Sequence, residues 1–98
     1  MEVIFLPSAR RDIRDSYGWY EKRQFGLGNR FIREVIEFSQ KLKRENIEYR
    51  KYFEEIQCIK LTRFPFTLYF LKGSETQIFV MAVLFNRKDI LNILRERK

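Results

Sequence analysis

Apolar residues recur along this chain in two rhythms, and each predicts a different kind of element. Residues 2–6 form a short run rich in Val, Ile and Phe that Pro7 stops, which predicts a first strand. Ala9, Ile13, Tyr17 and Tyr20 then recur at helical spacing, while Arg10, Arg11, Arg14 and Lys22 lie mostly off that face. Ser8 stands where a hydroxyl can accept from an orphaned N–H of the first helical turn. Gly18 weakens this helix without stopping it. The breaker Phe25-Gly26-Leu27-Gly28 follows, after which Phe31, Val35, Phe38 and Leu42 form a second helical stripe, widened by Ile32 and Ile36. Arg30, Arg33, Glu34, Glu37, Lys41 and Lys43 cover much of the remainder. Two amphipathic helices joined by a short turn predict an antiparallel hairpin laid on a sheet.

The rhythm changes after the polar region 44–50. Residues 56–61 and 64–71 have strand character, the second begun by Phe64-Pro65, where proline is tolerated at a strand's start. Lys72-Gly73-Ser74-Glu75 is a tight connection, and residues 77–85 return as a strongly apolar strand. Strands linked this closely predict an antiparallel meander, with residues 78–84 central and the helices on one face. Asn86 reads as the cap of a last short helix, with Asp89 three residues on as its capping-box partner. Ile90, Leu91 and Leu94 give that helix an apolar side before the tail Arg95-Glu96-Arg97-Lys98. The predicted order is β-α-α-β-β-β-α, an α+β class, with a small twisted antiparallel sheet packed against an N-terminal helix hairpin. No repeat or linker divides it, so residues 1–98 are expected to form one domain.

Composition narrows the chemistry. Twenty Lys or Arg stand against thirteen Asp or Glu, a formal charge of +7, and there is no histidine. Imidazole zinc sites and Ser-His-Asp or Cys-His relays are therefore excluded. The single cysteine, Cys58, allows no intrachain disulfide or thiolate cluster, and its alternating apolar setting predicts a buried reduced thiol. A reducing, cytoplasmic compartment is expected. No run approaches a membrane span, and the opening turns polar too soon for a signal peptide. Neither a metal nor a cofactor is expected.

The basic excess concentrates at Arg10/Arg11/Arg14, at Lys41/Lys43/Arg44, and at Arg87/Lys88 with Arg95/Arg97/Lys98. The helix clusters read as solvated faces with both signs mixed in, whereas few acids accompany the C-terminal one. Arg63 and Arg87 fall near strand ends, where a basic side chain can point into a shared groove. Phe31, Phe38, Phe64, Phe66, Phe70 and Phe79 occupy positions that the core needs, so they do not read as a base-stacking surface. Tyr49 and Tyr52, in the polar connection, are expected to be exposed. Trp19 falls beside the apolar stripe of the first helix. The four glycines never form a phosphate cradle after a strand. Glu54 and Glu55 are adjacent and would point to opposite sides if extended, which is not the spacing of an acid–base dyad.

Several local motifs come together in order along nearly the whole chain. They are Ala9-Arg10-Arg11-Asp12 with Tyr17 and Tyr20 downstream, Leu27-Gly28-Asn29-Arg30-Phe31, the run from Arg63-Phe64-Pro65 to Tyr69-Phe70, and Ala82-Val83-Leu84-Phe85-Asn86-Arg87-Lys88-Asp89. In this the chain resembles the ParE branch of the ParE/RelE toxin superfamily, the toxin halves of bacterial type II toxin–antitoxin modules. The resemblance implies a twisted sheet against a helix hairpin, with the first strand beside the later meander. RelE-like members cut messenger RNA on the ribosome using Lys, Arg, Glu, His and a late Tyr; ParE-like members instead inhibit DNA gyrase. Many RelE-like nucleases open with arginine the strand that starts here at Phe66, and many relatives carry histidine where this chain has Phe85. No tyrosine follows Tyr69.

Two functions from different classes follow as expectations. The first is a non-enzymatic toxin that binds gyrase through Arg63, Arg87, Lys88, Arg95 and Arg97. A cognate antitoxin would neutralise it in a toxin–antitoxin hetero-oligomer, wrapping a flexible, acidic segment over the fold and anchoring on Trp19, Tyr20, Phe25 and Phe31. The second is a metal-independent, ribosome-dependent endoribonuclease in which Arg63, Arg87 and Glu55 converge on one phosphate. A cleft walled by Phe66 and Phe85 would count against it. A degenerate relative that binds an antitoxin and poisons nothing is the third expectation.

Overall fold

The computed structural model describes residues 1–44, 49–87 and 89–97. Its elements are β1 (Glu2–Phe5), α1 (Pro7–Arg23), α2 (Leu27–Arg44), β2 (Lys51–Phe53), β3 (Ile56–Lys60), β4 (Phe66–Lys72), β5 (Gln77–Phe85) and α3 (Ile90–Arg97). The five strands form one sheet in the order β1-β5-β4-β3-β2. The α+β class and the helix hairpin agree with expectation, and β5 is interior as expected, although β4 is the middle strand.

Two features correct the expected sheet. β1 runs parallel to β5, from Glu2↔Gln77 to Phe5↔Val80, so the sheet is mixed and only the β2–β5 portion is antiparallel. An extra strand, β2, precedes the meander. It is three residues long, lies at the sheet edge and exposes Lys51 and Tyr52, so it leaves little hydrophobic pattern to read.

The hairpin turns at Gly26, whose φ of +86° is left-handed and strained for any side chain. Two residues on, a Cβ at Gly28 would lie 2.7 Å from the Tyr17 carbonyl oxygen, so glycine is what lets α1 and α2 approach closely. One sheet face packs Phe66, Leu68, Phe70, Ile78, Val80 and Val83 against Ala9 of α1 and Phe31, Val35 and Leu42 of α2. The other face packs Ile56, Tyr69, Met81, Ala82 and Leu84 against Ile90 and Leu94 of α3. Helices on both faces explain why β4 and β5 read as nearly continuous apolar runs rather than clean alternations.

A β-bulge reorganises β5. Tyr69 pairs with Ala82 and Phe70 with Val80, so Met81 has no partner on β4. The extra residue shifts the alternation: Ile78 and Val80 share a face with Val83, whereas Met81, Ala82 and Leu84 face α3. β1 ends opposite Val80, which leaves the outer edge of β5 without a strand beyond that point. Side chains complete it. Asp12 Oδ2 accepts from the Val83 N–H at 3.0 Å, and the Met81 carbonyl accepts from Ser8 Oγ at 2.8 Å. Arg97 of α3 reaches the same edge, donating through Nη1 and Nη2 to both Asp12 oxygens at 2.5 and 2.9 Å and to the Met81 carbonyl at 3.3 Å.

These bonds correct three expectations. Ser8 does not cap α1; Leu6 holds the cap position with no side-chain bond, and Pro7 opens the helix, where its missing N–H costs nothing. Asn86 does not cap α3, which starts at Ile90; its Oδ1 accepts from Thr67 Oγ1 at 2.7 Å. Asp89, expected as the capping-box partner, instead grips Arg87.

By pattern Glu34 belongs to the polar cover of α2, yet only 2% of it is exposed. Its carboxylate accepts from the N–H groups of Arg63 and Phe64 and from Thr62 Oγ1, all at 3.0–3.2 Å. It thereby satisfies the backbone of the bend between β3 and β4. Asp12 carries the larger tertiary role. Asp12→Ala is expected to cost about 2–4 kcal/mol, because it strands a strand N–H and a half-buried guanidinium together. Urea unfolding checks this: the midpoint should fall with the slope unchanged, and a loss no larger than that of a surface ion pair would contradict it.

Candidate functional site: two grooves on opposite faces

The expected site residues are distributed over separate places. Arg63 lies in a groove of about 570 Å³ with Leu27, Arg30, Arg33, Glu34, Glu37 and Phe64, and its guanidinium is 3.8 Å from Glu37. Arg87 lies in a different groove, described below. Glu55 lines neither; it sits at the β2–β3 turn, exposed and 3.6 Å from Lys51. That turn places Glu54 at a left-handed φ of 51°, so the two glutamates are not on an extended strand. The triad Arg63, Arg87 and Glu55 is therefore not assembled in one cleft.

The remaining cations also divide. Arg95 is exposed, with its guanidinium carbon 5.3 Å from the centre of the Phe53 ring. Arg97 is a structural clamp on Asp12 and the β5 edge rather than a free surface charge, which corrects its expected role. Lys88 lies outside the described residues, as do Lys98 of the basic tail and residues 45–48 of the polar connection.

The first groove, of about 440 Å³, lies on the α1 side of the sheet. Trp19, Tyr20, Phe66 and Phe85 wall it, with Asp15 and Ser16 at its rim. Phe66 and Phe85 are cross-strand partners whose rings meet edge to face at 5.7 Å. Trp19 and Phe85 are about half exposed, at 53% and 52%. Arg23 stacks over the Trp19 ring at 4.1 Å, and Trp19 meets Tyr20 edge on at 5.1 Å. Tyr20 in turn contacts Phe31, Phe64 and Phe66, so the groove floor is continuous with the core. Burial raises the Tyr20 hydroxyl pKa. Phe25, 94% exposed, projects from the tip of the hairpin. Phe31, by contrast, has no exposed surface and packs inside the core, so the structure removes it from the expected partner contacts.

The second groove, of about 330 Å³, lies on the α3 side of the sheet. The cross-strand pairs Cys58↔Tyr69 and Lys60↔Thr67 form its floor. Arg50, Tyr52, Asn86 and Arg87 surround it, and Ile90, the first residue of α3, closes one end. Among the described residues, three cations line it and no carboxylate does. Arg50 and Lys60 have no acidic partner within 4 Å among the described residues. Arg87 is gripped by Asp89 through two parallel bonds, Nε–Oδ1 at 2.5 Å and Nη2–Oδ2 at 2.7 Å. This pairing raises the Arg87 pKa and lowers that of Asp89.

Cys58 is half-buried rather than fully buried, and burial raises its thiol pKa despite the nearby Arg50 and Lys60, so it remains a protonated, weakly nucleophilic group. Tyr49 does not join the exposed Tyr52 as expected: it is half-buried, its ring edge-on to Phe70 at 5.7 Å. Tyr52 is exposed and meets Tyr69 edge-on at 5.2 Å. Asn86, Thr67 and Tyr52 were not anticipated as groove residues. The cross-strand register that brings them together is absent from local pattern.

A solved chain described as the chromosomal ParDE TA system from P. aeruginosa superposes on this one with a TM-score of 0.78. The alignment covers 89% of this chain and 97% of that chain at 14% sequence identity. The fold is ParE/RelE-like. No protein-family model matches the sequence, and no curated protein does. Within this ParE/RelE-like fold, Phe66 and Phe85 wall the aromatic groove, while Arg50, Lys60 and Arg87 line the groove on the opposite face. No helix among the described residues is long and apolar enough to cross a membrane.

Burial, followed by the neighbouring Tyr52, pushes the Tyr69 hydroxyl from its ordinary value near 10 up to about 12. Tyr69 therefore keeps its proton through the neutral range, with its hydroxyl in a side-chain hydrogen bond with Thr67. The unfolded chain ionises first, so this contribution to stability is complete below pH 10 and is lost as pH rises toward 12. Phenolate absorbance should show one tyrosine titrating well above the others, and its disappearance in Tyr69→Phe identifies it. A Tyr69 that ionises with the rest would contradict the burial argument.

Proposed function

We propose that this chain is the toxin of a type II toxin–antitoxin pair, acting in the cytoplasm as a single domain. On this reading it inhibits DNA gyrase by binding it and cuts no RNA. The observation that carries the non-enzymatic part is the lining of the second groove among the described residues: cations, hydroxyls and no imidazole, with the carboxylate beside it, Asp89, committed to Arg87. Lysine and arginine are protonated near neutrality, and Tyr69 is held neutral, so neither supplies a base. The fold shared with a chain of a ParDE system supports the toxin role. The aromatic walls at Phe66 and Phe85 support protein binding over nucleolysis.

Arg63, Arg87 and Arg95 are the exposed cations that this reading gives to the target surface, with Lys88 beside them in sequence. Expression in bacteria without an antitoxin tests it, with plasmid supercoiling and transcript integrity followed in one culture. Loss of supercoiling with intact transcripts is expected. Prompt codon-linked transcript cleavage with normal supercoiling would overturn the reading in favour of a ribosome-dependent endoribonuclease. Unimpaired growth would favour a relative that poisons nothing.

The antitoxin, on the same reading, anchors apolar side chains in the first groove, against Trp19, Tyr20 and Phe85, with Phe25 at its margin. An acidic segment suits a chain of charge +7 whose Arg10, Arg11, Arg14 and Arg23 lie exposed along α1. Exposed aromatics in a groove are the usual dominant anchors of such contacts. Trp19→Ala with Phe85→Ala is expected to weaken antitoxin binding by more than about tenfold, measured by calorimetry, while growth inhibition by the toxin alone persists. Unchanged antitoxin affinity would move the anchor site elsewhere.

A further inference from the structure

We propose that the groove around Arg63 docks an acidic helical segment of the protein that this chain poisons, and that Glu37 holds Arg63 in place of one of its carboxylates. The proposal rests on the toxin reading and deepens it by naming the chemistry of the target's contact. The spacing along α2 provides for two ordinary i, i+4 ion pairs, Arg30 with Glu34 and Arg33 with Glu37. The fold makes neither. Glu34 turns inward and commits both oxygens to the Arg63 and Phe64 N–H groups and the Thr62 hydroxyl. Glu37 turns to Arg63 across the groove at 3.8 Å. Arg30 and Arg33 are therefore exposed, with no acidic partner within 4 Å among the described residues.

Three arginines thus line one groove of about 570 Å³, and its one exposed carboxylate among the described residues is loosely held. Both members of the Arg63–Glu37 pair are well exposed, so an incoming carboxylate displaces Glu37 at small cost. Arg30 and Arg33 lie about 4.5 Å apart along the helix axis, which matches two carboxylates three residues apart on a second helix laid beside α2. Leu27 and Phe64 supply an apolar floor for an aliphatic side chain of that segment. Two features favour a protein over a nucleic acid. Glu34 and Glu37 interrupt the positive lining that a run of phosphates needs. Phe64, the groove's one aromatic ring among the described residues, is only 9% exposed and offers no face to a base. The α1 arginines, Arg23 on Trp19 among them, already serve an acidic antitoxin beside the aromatic groove, whereas Arg63 and its α2 companions form a separate cationic surface.

The test has two arms. In the first, fluorescence anisotropy follows a labelled, alanine-based helical peptide with glutamates three residues apart as it binds the full chain at low and physiological salt. Salt-sensitive binding is expected, weakened about tenfold by Arg30→Ala with Arg33→Ala, tightened by Glu37→Gln and unchanged by Lys72→Ala, an exposed lysine at the end of β4. All four positions are exposed, and circular dichroism verifies that each variant folds. In the second, each chain is expressed in bacteria without an antitoxin; the double arginine variant should recover at least about tenfold more colonies than the parent, and Lys72→Ala should not. Peptide binding indifferent to the double variant, or Glu37→Gln that fails to tighten it, would overturn the proposal. So would an oligothymidylate of equal charge displacing the peptide as well as unlabelled peptide does, since the groove would then be a general polyanion site. A double variant that stops growth as fully as the parent would overturn the assignment to the target while leaving the toxin reading intact. Unimpaired growth with the parent chain would overturn both. Normal supercoiling in cells that the parent stops and the double variant spares would overturn the gyrase reading and leave this one standing.

Discussion

Beyond Val80, β5 loses its neighbouring strand, and the carboxylate of Asp12 takes that strand's place. One oxygen receives the Val83 N–H while both receive the Arg97 guanidinium. A backbone donor on this unpaired edge would otherwise face a helix with nothing to accept it. The same two atoms thus join three elements that are distant in sequence: α1, the second half of β5, and the end of α3. Ser8, one helical turn before Asp12, performs the matching service for the Met81 carbonyl. Helix α1 is therefore aimed along the strand by specific polar bonds as well as by its apolar stripe.

That arrangement sets the two grooves apart. The bulge at Met81 shifts the alternation of β5, which brings Phe85 onto the α1 face beside Phe66 and gives Leu84 to the α3 face. The α1 face then ends in exposed aromatic rings backed by the core through Tyr20. The α3 face ends in cations and hydroxyls set on the β3–β4 ladder. An aromatic groove and a cationic groove are thereby held on opposite sides of one thin sheet.

Much of this was legible from periodicity and some of it could not have been. The helices declared themselves because Ala9, Ile13, Tyr17 and Tyr20, and then Phe31, Val35, Phe38 and Leu42, repeat over many turns. β5 declared itself by its apolar run. The bulge did not, because Met81 and Ala82 are both apolar and only the pairing with Tyr69 and Phe70 reveals the extra residue. Glu34 and Arg97 looked like surface charge since their partners, the 62–64 backbone and Asp12, are remote in sequence. Phe31, expected at a partner contact, lies in the core, as its place in the apolar stripe of α2 implies. The groove expected to be shared by Arg63 and Arg87 is two separate grooves, and the companions of Arg87, namely Arg50, Lys60 and Tyr52, depend on a strand register that local sequence does not carry.

Amide hydrogen exchange at Val83 is the most direct measurement of whether Asp12 stands in for the missing strand. In the intact protein the Val83 N–H should exchange as slowly as the laddered amides of β4 and β5. In Asp12→Ala, compared under conditions where global unfolding does not limit exchange, its protection should fall selectively relative to Leu6, whose N–H bonds the Val80 carbonyl where β1 is still present. Equal protection of Val83 with and without the carboxylate would contradict the account.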